Sequence, residues 1–240
     1  MSQSLKKICG DKLGASDGEI GHVKDFYFDD ERWVVRYVVA DTGTWLSGKL
    51  VLISPRALGS LYEGGKVLIV NLTRHQIENC PSIDAHKPVS RQYEEEYYRH
   101  YGWPDYWQGD AIWGMSGFPI VHTGAIPSTS EVRAKNSAVP PLKDTHLRSA
   151  QAIIGYQIQV GEDTIGQVTD FMMDSESWVI TGLVINLGNR FTGKKVLLSP
   201  SQIHHISYEE SKVFVDVTKE ALELAPGFDD QHAHATPALT

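Results

Sequence analysis

The strongest constraint on this chain is that it is written twice. A first block runs through Ile20-Gly21, Asp25-Phe26, Asp29, Trp33-Val34, Gly43, Gly48-Lys49 and Val51-Leu52-Ile53-Ser54-Pro55. A second block runs through Ile165-Gly166, Asp170-Phe171, Asp174, Trp178-Val179, Gly188, Gly193-Lys194 and Val196-Leu197-Leu198-Ser199-Pro200. Gly166 follows Gly21, Trp178 follows Trp33 and Pro200 follows Pro55 by the same 145 residues. The offset extends outward to Gly10 and Gly155, Thr73 and Thr218, and Pro81 and Pro226. A register held without insertion over about 70 residues indicates two copies of one fold.

Within each copy the local signals are those of short strands. Asp17-Gly18 marks a hairpin turn, and residues 20–28 carry inward-facing Ile20, Val23, Phe26 and Phe28. Asp29 to Arg32 form a polar turn, after which residues 33–40 are almost continuously β-branched or aromatic, as in a strand buried on both faces. Residues 49–53 make another strand, which ends at Ser54-Pro55 because proline cannot donate to the ladder. A short strand is expected at 61–63, a turn at Gly64-Gly65, a last strand at 67–72, and a helical turn capped by Thr73. The second copy repeats the plan, with a turn at 161–163, a central strand at 178–187 and a helical turn at 218–223. About six short antiparallel strands in about 75 residues suit a small closed barrel, which leaves no open edges. The expected class is mainly β, with a first repeat at 1–81, an insertion and linker at 82–148, a second repeat at 149–226, and a disordered tail at 227–240.

The stretch between the repeats differs in character. Residues 91–101 suit a helix: Ser90 can cap it, glutamates follow at its positive end, and Gly102 and Pro104 stop it. Tyr93, Tyr97 and Tyr101 are spaced by four and share a face. Tyr98, Trp103, Tyr106, Trp107 and Trp113 extend the aromatic run, and the chain then turns polar and proline-rich from 124 to 148. Two readings of this segment stand side by side. It can pack over a barrel as a docked helix, or present tyrosine and tryptophan as a binding surface.

The net charge of −8 argues against general binding to DNA or other nucleic acid and against attachment to an anionic membrane. No apolar run reaches the ~18–20 residues of a membrane helix, and the polar start lacks a secretory pattern, so the cytoplasm is expected. Cys9 and Cys80 have Ile154 and Ala225 as counterparts, so the fold does not need them as a pair. Asp25 and Asp170 recur, but one carboxylate per repeat is neither an acid–base pair nor a ligand set; beside a turn it is expected to accept backbone N–H groups. His204-His205 on a strand would point to opposite faces, and His232 with His234 lies in the tail. No catalytic or metal site and no cofactor is expected.

The agreeing residues, Gly21/Gly166, Asp25/Asp170, Trp33/Trp178, the Gly-Lys-x-Val-Leu runs at 48–52 and 193–197, and Pro55/Pro200, resemble the PRC-barrel family. That family includes the cytoplasmic domain of the photosynthetic reaction-centre H subunit and the C-terminal domain of the ribosome maturation factor; this chain is most similar to its soluble tandem type. The resemblance implies a module that docks on other macromolecules without chemistry of its own; the expectation here is a protein partner or a second copy, and self-association would take the commonest closed arrangement, a twofold dimer. Roles like those of the maturation factor on ribosomes or RNA, or of the H subunit in assembly and electron-transfer support, are alternatives, as is a small-ligand binder.

Overall fold

The structure, a computed structural model, describes residues 1–59, 67–81, 89, 91–107, 112–114, 147–188 and 193–229. The expected strand at 61–63, the Gly64-Gly65 turn, the Ser90 cap, most of the linker, and the tail with His232 and His234 lie outside the described residues. In chain order the first repeat comprises β1 (Ser2–Ser4), α1 (Leu5–Ile8), β2 (Lys12–Ala15), β3 (Gly18–Asp29), β4 (Val34–Asp41), β5 (Leu50–Ile53), β6 (Val67–Ile69) and α2 (Arg74–Glu78). Helix α3 (Arg91–Tyr101) belongs to the insertion. The second repeat has β7 (Leu147–Ser149), α4 (Ala150–Ile153), β8 (Gln157–Val160), β9 (Asp163–Asp174), β10 (Ile180–Leu187), β11 (Lys195–Leu198), β12 (Ile203–Ser207), β13 (Lys212–Val215) and α5 (Lys219–Leu224).

The fold is mainly β, built as two curled sheets that form half-barrels. One runs β5-β4-β3-β2-β6 and the other β11-β10-β9-β8-β13-β12. The ladders are not all antiparallel, as the strand pattern suggested: β2 pairs parallel to β6 and β8 parallel to β13. These partners are far apart in sequence, so no tight hairpin forces them to run opposite ways. The turn residues act as expected. Thr73 caps α2 and Thr218 caps α5, and Ser54 and Ser199 each cap a single 3-10 turn with proline at its first position.

The repeats are joined by exchange. Strand β1, from the start of the first repeat, adds to β9 of the second, pairing Ser2 with Asp174 and Ser4 with Met172. Strand β7, from the start of the second repeat, adds to β3 of the first, pairing Leu147 with Asp29 and Ser149 with Tyr27. The two registers are related by the same 145-residue offset, so the junction has pseudo-twofold symmetry. Trp33 and Trp178 lie at this junction, ahead of the strands and not within them. Both take left-handed backbone angles (φ 55° and 61°), which break the ladder just before β4 and β10. The left-handed turn directs each carbonyl across the junction: Ile180 N–H donates to Trp33 O at 2.7 Å, and Val35 N–H to Trp178 O at 2.9 Å. The Phe28 and Phe171 rings meet beside them at 5.4 Å. Gly21 and Gly166 recur for a steric reason. A Cβ there would lie 2.0 Å from Asp41 O and 2.2 Å from Asn186 O, so only glycine lets β3 and β9 approach their neighbours.

Candidate interaction surface

Helix α3 is marginal as an isolated segment, being 11 residues long. Glu94 in its first turn and Arg99 and His100 in its last suit the helix dipole. Gly102 ends it in the left-handed conformation. Gly102 N–H bonds Arg99 O and Trp103 N–H bonds Tyr98 O, a Schellman closure. What holds the helix is its packing on the first half-barrel.

The half-barrel provides polar anchors as well as area. Ser54 N–H donates to the Tyr97 hydroxyl at 2.9 Å. Tyr37 and Tyr106 both donate to Glu94 Oε1, at 3.0 and 2.6 Å. Arg36, fully buried, donates to Asp29 Oδ2 and to the Ile112 carbonyl. Its guanidinium lies 4.0 Å from the Tyr106 ring centroid and 5.0 Å from that of Trp113. Arg56 donates to the Trp113 carbonyl, and the Trp113 indole N–H reaches across to Ser177 O of the second repeat.

The structure brings the eight aromatic residues of the insertion into one region. Tyr97 contacts Tyr93, Tyr98, Tyr101 and Trp103, with Tyr101 closest at 4.9 Å between centroids. Tyr98 in turn contacts Tyr106 and Trp107. The Arg36 guanidinium lies between the Tyr106 and Trp113 rings and ties Trp113 to the group. Tyr97, Tyr98, Tyr106 and Trp113 are buried, whereas Tyr93, Tyr101, Trp103 and Trp107 are half-buried and form a rim. Tyr98 lies off the four-residue stripe read from sequence, yet it is as buried as Tyr97. Burial holds the Tyr37 and Tyr97 phenols well above their usual range and pushes Tyr98 up to about 12. At neutral pH these phenols are therefore neutral hydrogen-bonding groups.

Sequence reasoning missed Arg36, Tyr37, Ser54 and Glu94 as partners of this segment. The available signal was a difference between the copies. The second repeat has Thr181 and Gly182 where the first has Arg36 and Tyr37. A Cβ on Gly182 would meet the Leu197 side chain at 2.7 Å and Leu198 O at 2.8 Å, so the second repeat leaves no room for a side chain where the first has Tyr37. Gln202 Oε1 accepts the Ser199 N–H at 2.9 Å, the service that Tyr97 performs for Ser54. The first repeat has Ala57 in place of Gln202 and relies on the insertion.

Asp25 and Asp170 act at the junction. Asp170 accepts the Ser4 hydroxyl at 2.5 Å, Lys6 N–H at 3.0 Å and Phe171 N–H at 2.7 Å. Asp25 accepts the Ser149 hydroxyl at 2.6 Å, Gln151 N–H at 3.0 Å and Phe26 N–H at 2.7 Å. Each serine also caps the short helix after it, α1 or α4. Each aspartate thus captures the capped start of the opposite repeat, and most of its donors come from there, which no local pattern announces. Beside this latch, Arg148 Nε and the Tyr208 hydroxyl both donate to Asp30 Oδ2, at 3.0 and 2.7 Å, with the guanidinium 3.8 Å from the Tyr208 ring centroid.

Both cysteines are free thiols, pushed up to about 11 chiefly by burial. Cys9 lies near Asp25 and Asp170, and Cys80 lies beside Tyr101. His204 and His205 do not point to opposite faces: a bulge between Ile203 and His205 brings their rings to 5.0 Å, and His205 stacks on Phe214. Among the described residues no group of three or more His, Cys, Asp or Glu is placed to hold a metal ion, and no helix is long and apolar enough to cross a membrane.

The sequence model of the PRC-barrel domain matches residues 6–77 and 148–222. No curated protein matches the chain.

Proposed function

The chain belongs to the PRC-barrel domain family, twice over, and from that premise we propose that it is a non-enzymatic interaction and assembly module. One observation carries the reading: each half-barrel here recognises a peptide segment that is not its own. Strand β7 adds to β3 while Asp25 takes the Ser149 hydroxyl and Gln151 N–H, which is strand addition with a charged clamp. The first half-barrel also holds an aromatic helix through Tyr37 and Ser54. The repeated polar residues are engaged in joining segments of protein.

The partner of this module is a protein, and the surface offered to it is the rim of Tyr101, Trp103 and Trp107 with exposed Arg99 and His100. Tyrosine, tryptophan and arginine are enriched where interfaces gain most of their energy. Association with a second copy as a twofold dimer belongs to the same reading, as does action in the cytoplasm.

The test is affinity capture of the full chain from its native cell, followed by cross-linking and mass spectrometry. The reading expects a protein partner that is lost from the double variant Trp103→Ala/Trp107→Ala while circular dichroism stays that of the wild type. Capture indifferent to these changes, with native mass spectrometry revealing a tightly carried small ligand, would overturn it.

A further inference from the structure

The junction between the repeats is symmetric in its principal contacts. The arms enter in one register, the serine–aspartate clamps are matched, and the Trp33 and Trp178 carbonyls accept matching N–H groups. Contacts of this kind do not discriminate, since either arm would suit either sheet. The Trp113 indole on Ser177 O departs from this symmetry, and so, within the repeats themselves, do Asp30, Arg148 and Tyr208. The residue 145 positions after Asp30 is Ser175, and the residue 145 before Arg148 is Gln3. The mate of Tyr208 is Glu63, outside the described residues. The side chains of Arg148 and Asp30 are only 25% and 18% exposed, so water screens this ion pair in part.

We propose that Asp30, Arg148 and Tyr208 make the junction selective for unlike repeats. A first repeat then seats on a second repeat, of the same chain or of another copy, and not on another first repeat. Two first repeats would place Gln3 against Asp30 at both ends, and each carboxylate would lose its guanidinium. Two second repeats would place Arg148 against Ser175, and both guanidinium and phenol would lose their carboxylate. Leaving one half of a partly buried charged pair unmatched costs more than the matched pair contributes, so the asymmetry acts mainly by rejecting the wrong pairing.

The experiment uses the full chain with a protease site introduced within residues 125–140 and cut after folding. Unlabelled and 15N-labelled nicked proteins are mixed in urea just below the unfolding transition, returned to buffer, and weighed by native mass spectrometry. The wild type should yield first–second pairs, including isotopically mixed ones, with like pairs near the detection limit. In Asp30→Ser/Arg148→Gln, which installs the symmetry mates, like pairs should rise roughly tenfold, as expected for loss of a charge-assisted bond. The exchange Asp30→Arg/Arg148→Asp keeps the ion pair and should restore selectivity that either single reversal loses. Like pairs in statistical proportion in the wild type, halves that do not stay together, undiminished selectivity in the double variant, or no restoration by the exchange would each overturn the proposal.

Discussion

Removal of the Asp170 carboxylate tests the central claim about how the repeats are joined. The group is 8% exposed and accepts hydrogen bonds from Ser4, Lys6 and Phe171, the first two in the arm of the opposite repeat. In Asp170→Asn the remaining oxygen can serve Lys6 and Phe171, while the amide turns toward Ser4 Oγ, which already accepts Lys7 N–H. The charge on all three bonds is lost, for about 2 kcal/mol, and Asp170→Ala, which strands the donors, should cost about 4 kcal/mol. For a chain of this length that is about 4–8 °C in Tm for Asn and about twice that for Ala. The decisive measurement is a double-mutant cycle with Ser4→Ala by urea unfolding, followed through the tryptophans at the junction. Ser4→Ala alone removes both a cap worth about 1 kcal/mol and the bond to Asp170. A coupling of about 1.5–3 kcal/mol is expected, because Ser4 and Asp170 act as one clamp. Effects that simply add, within about 0.5 kcal/mol, would refute the clamp.

Three further outcomes follow from the geometry. Burial is the largest influence on Asp25 and raises its pKa, ahead of the lowering by Ser149, Gln151 and Phe26. The folded protein therefore holds this proton more tightly than the unfolded chain; the stability so gained is full below the unfolded value of about 3.9 and is lost as pH rises through the folded pKa. The stability difference between wild type and Asp25→Asn should be larger at acid than at neutral pH, by urea titration at each pH. Tyr97→Phe should cost about 1–3 kcal/mol by leaving the buried Ser54 N–H without its acceptor, whereas Gln202→Ala should cost less than about 1 kcal/mol because water can reach Ser199. Finally, with pKa values near 11, Cys9 and Cys80 should react with a thiol reagent at pH 7 only slowly in the folded protein, and rapidly once urea unfolds it.

The duplication, the strand-rich class and the helix over 91–101 are legible in the residues because each rests on local chemistry: turn formers, β-branched runs and tyrosines spaced by four. The exchange of β1 and β7 is not, since a three-residue strand carries no mark of which sheet it joins. Nor does Trp33 declare its left-handed backbone; it reads as the first residue of a strand, and only the carbonyl it turns toward Ile180 accounts for it. Asp25 and Asp170 are recognisable as acceptors from their place beside turns, but the identity of their donors depends on packing over 124 and 166 residues of separation. The anchors of the insertion could have been found by asking where two otherwise matching strands differ, as at Tyr37 and Gly182.

The exchange of arms also sets a timetable for biosynthesis. Strand β3 receives its edge partner only when Leu147 to Ser149 have been made, and β1 has nothing to join until Asp174 has left the ribosome. At about 5–20 residues per second, the 60 residues between Gly114 and Asp174 correspond to about 3–12 s. During that interval the nascent first repeat carries an open strand edge and a loose N-terminal arm. Those two elements are mutually exposed on every ribosome translating the same message, so crowded polysomes are where neighbouring chains have their best opportunity to capture each other's arms.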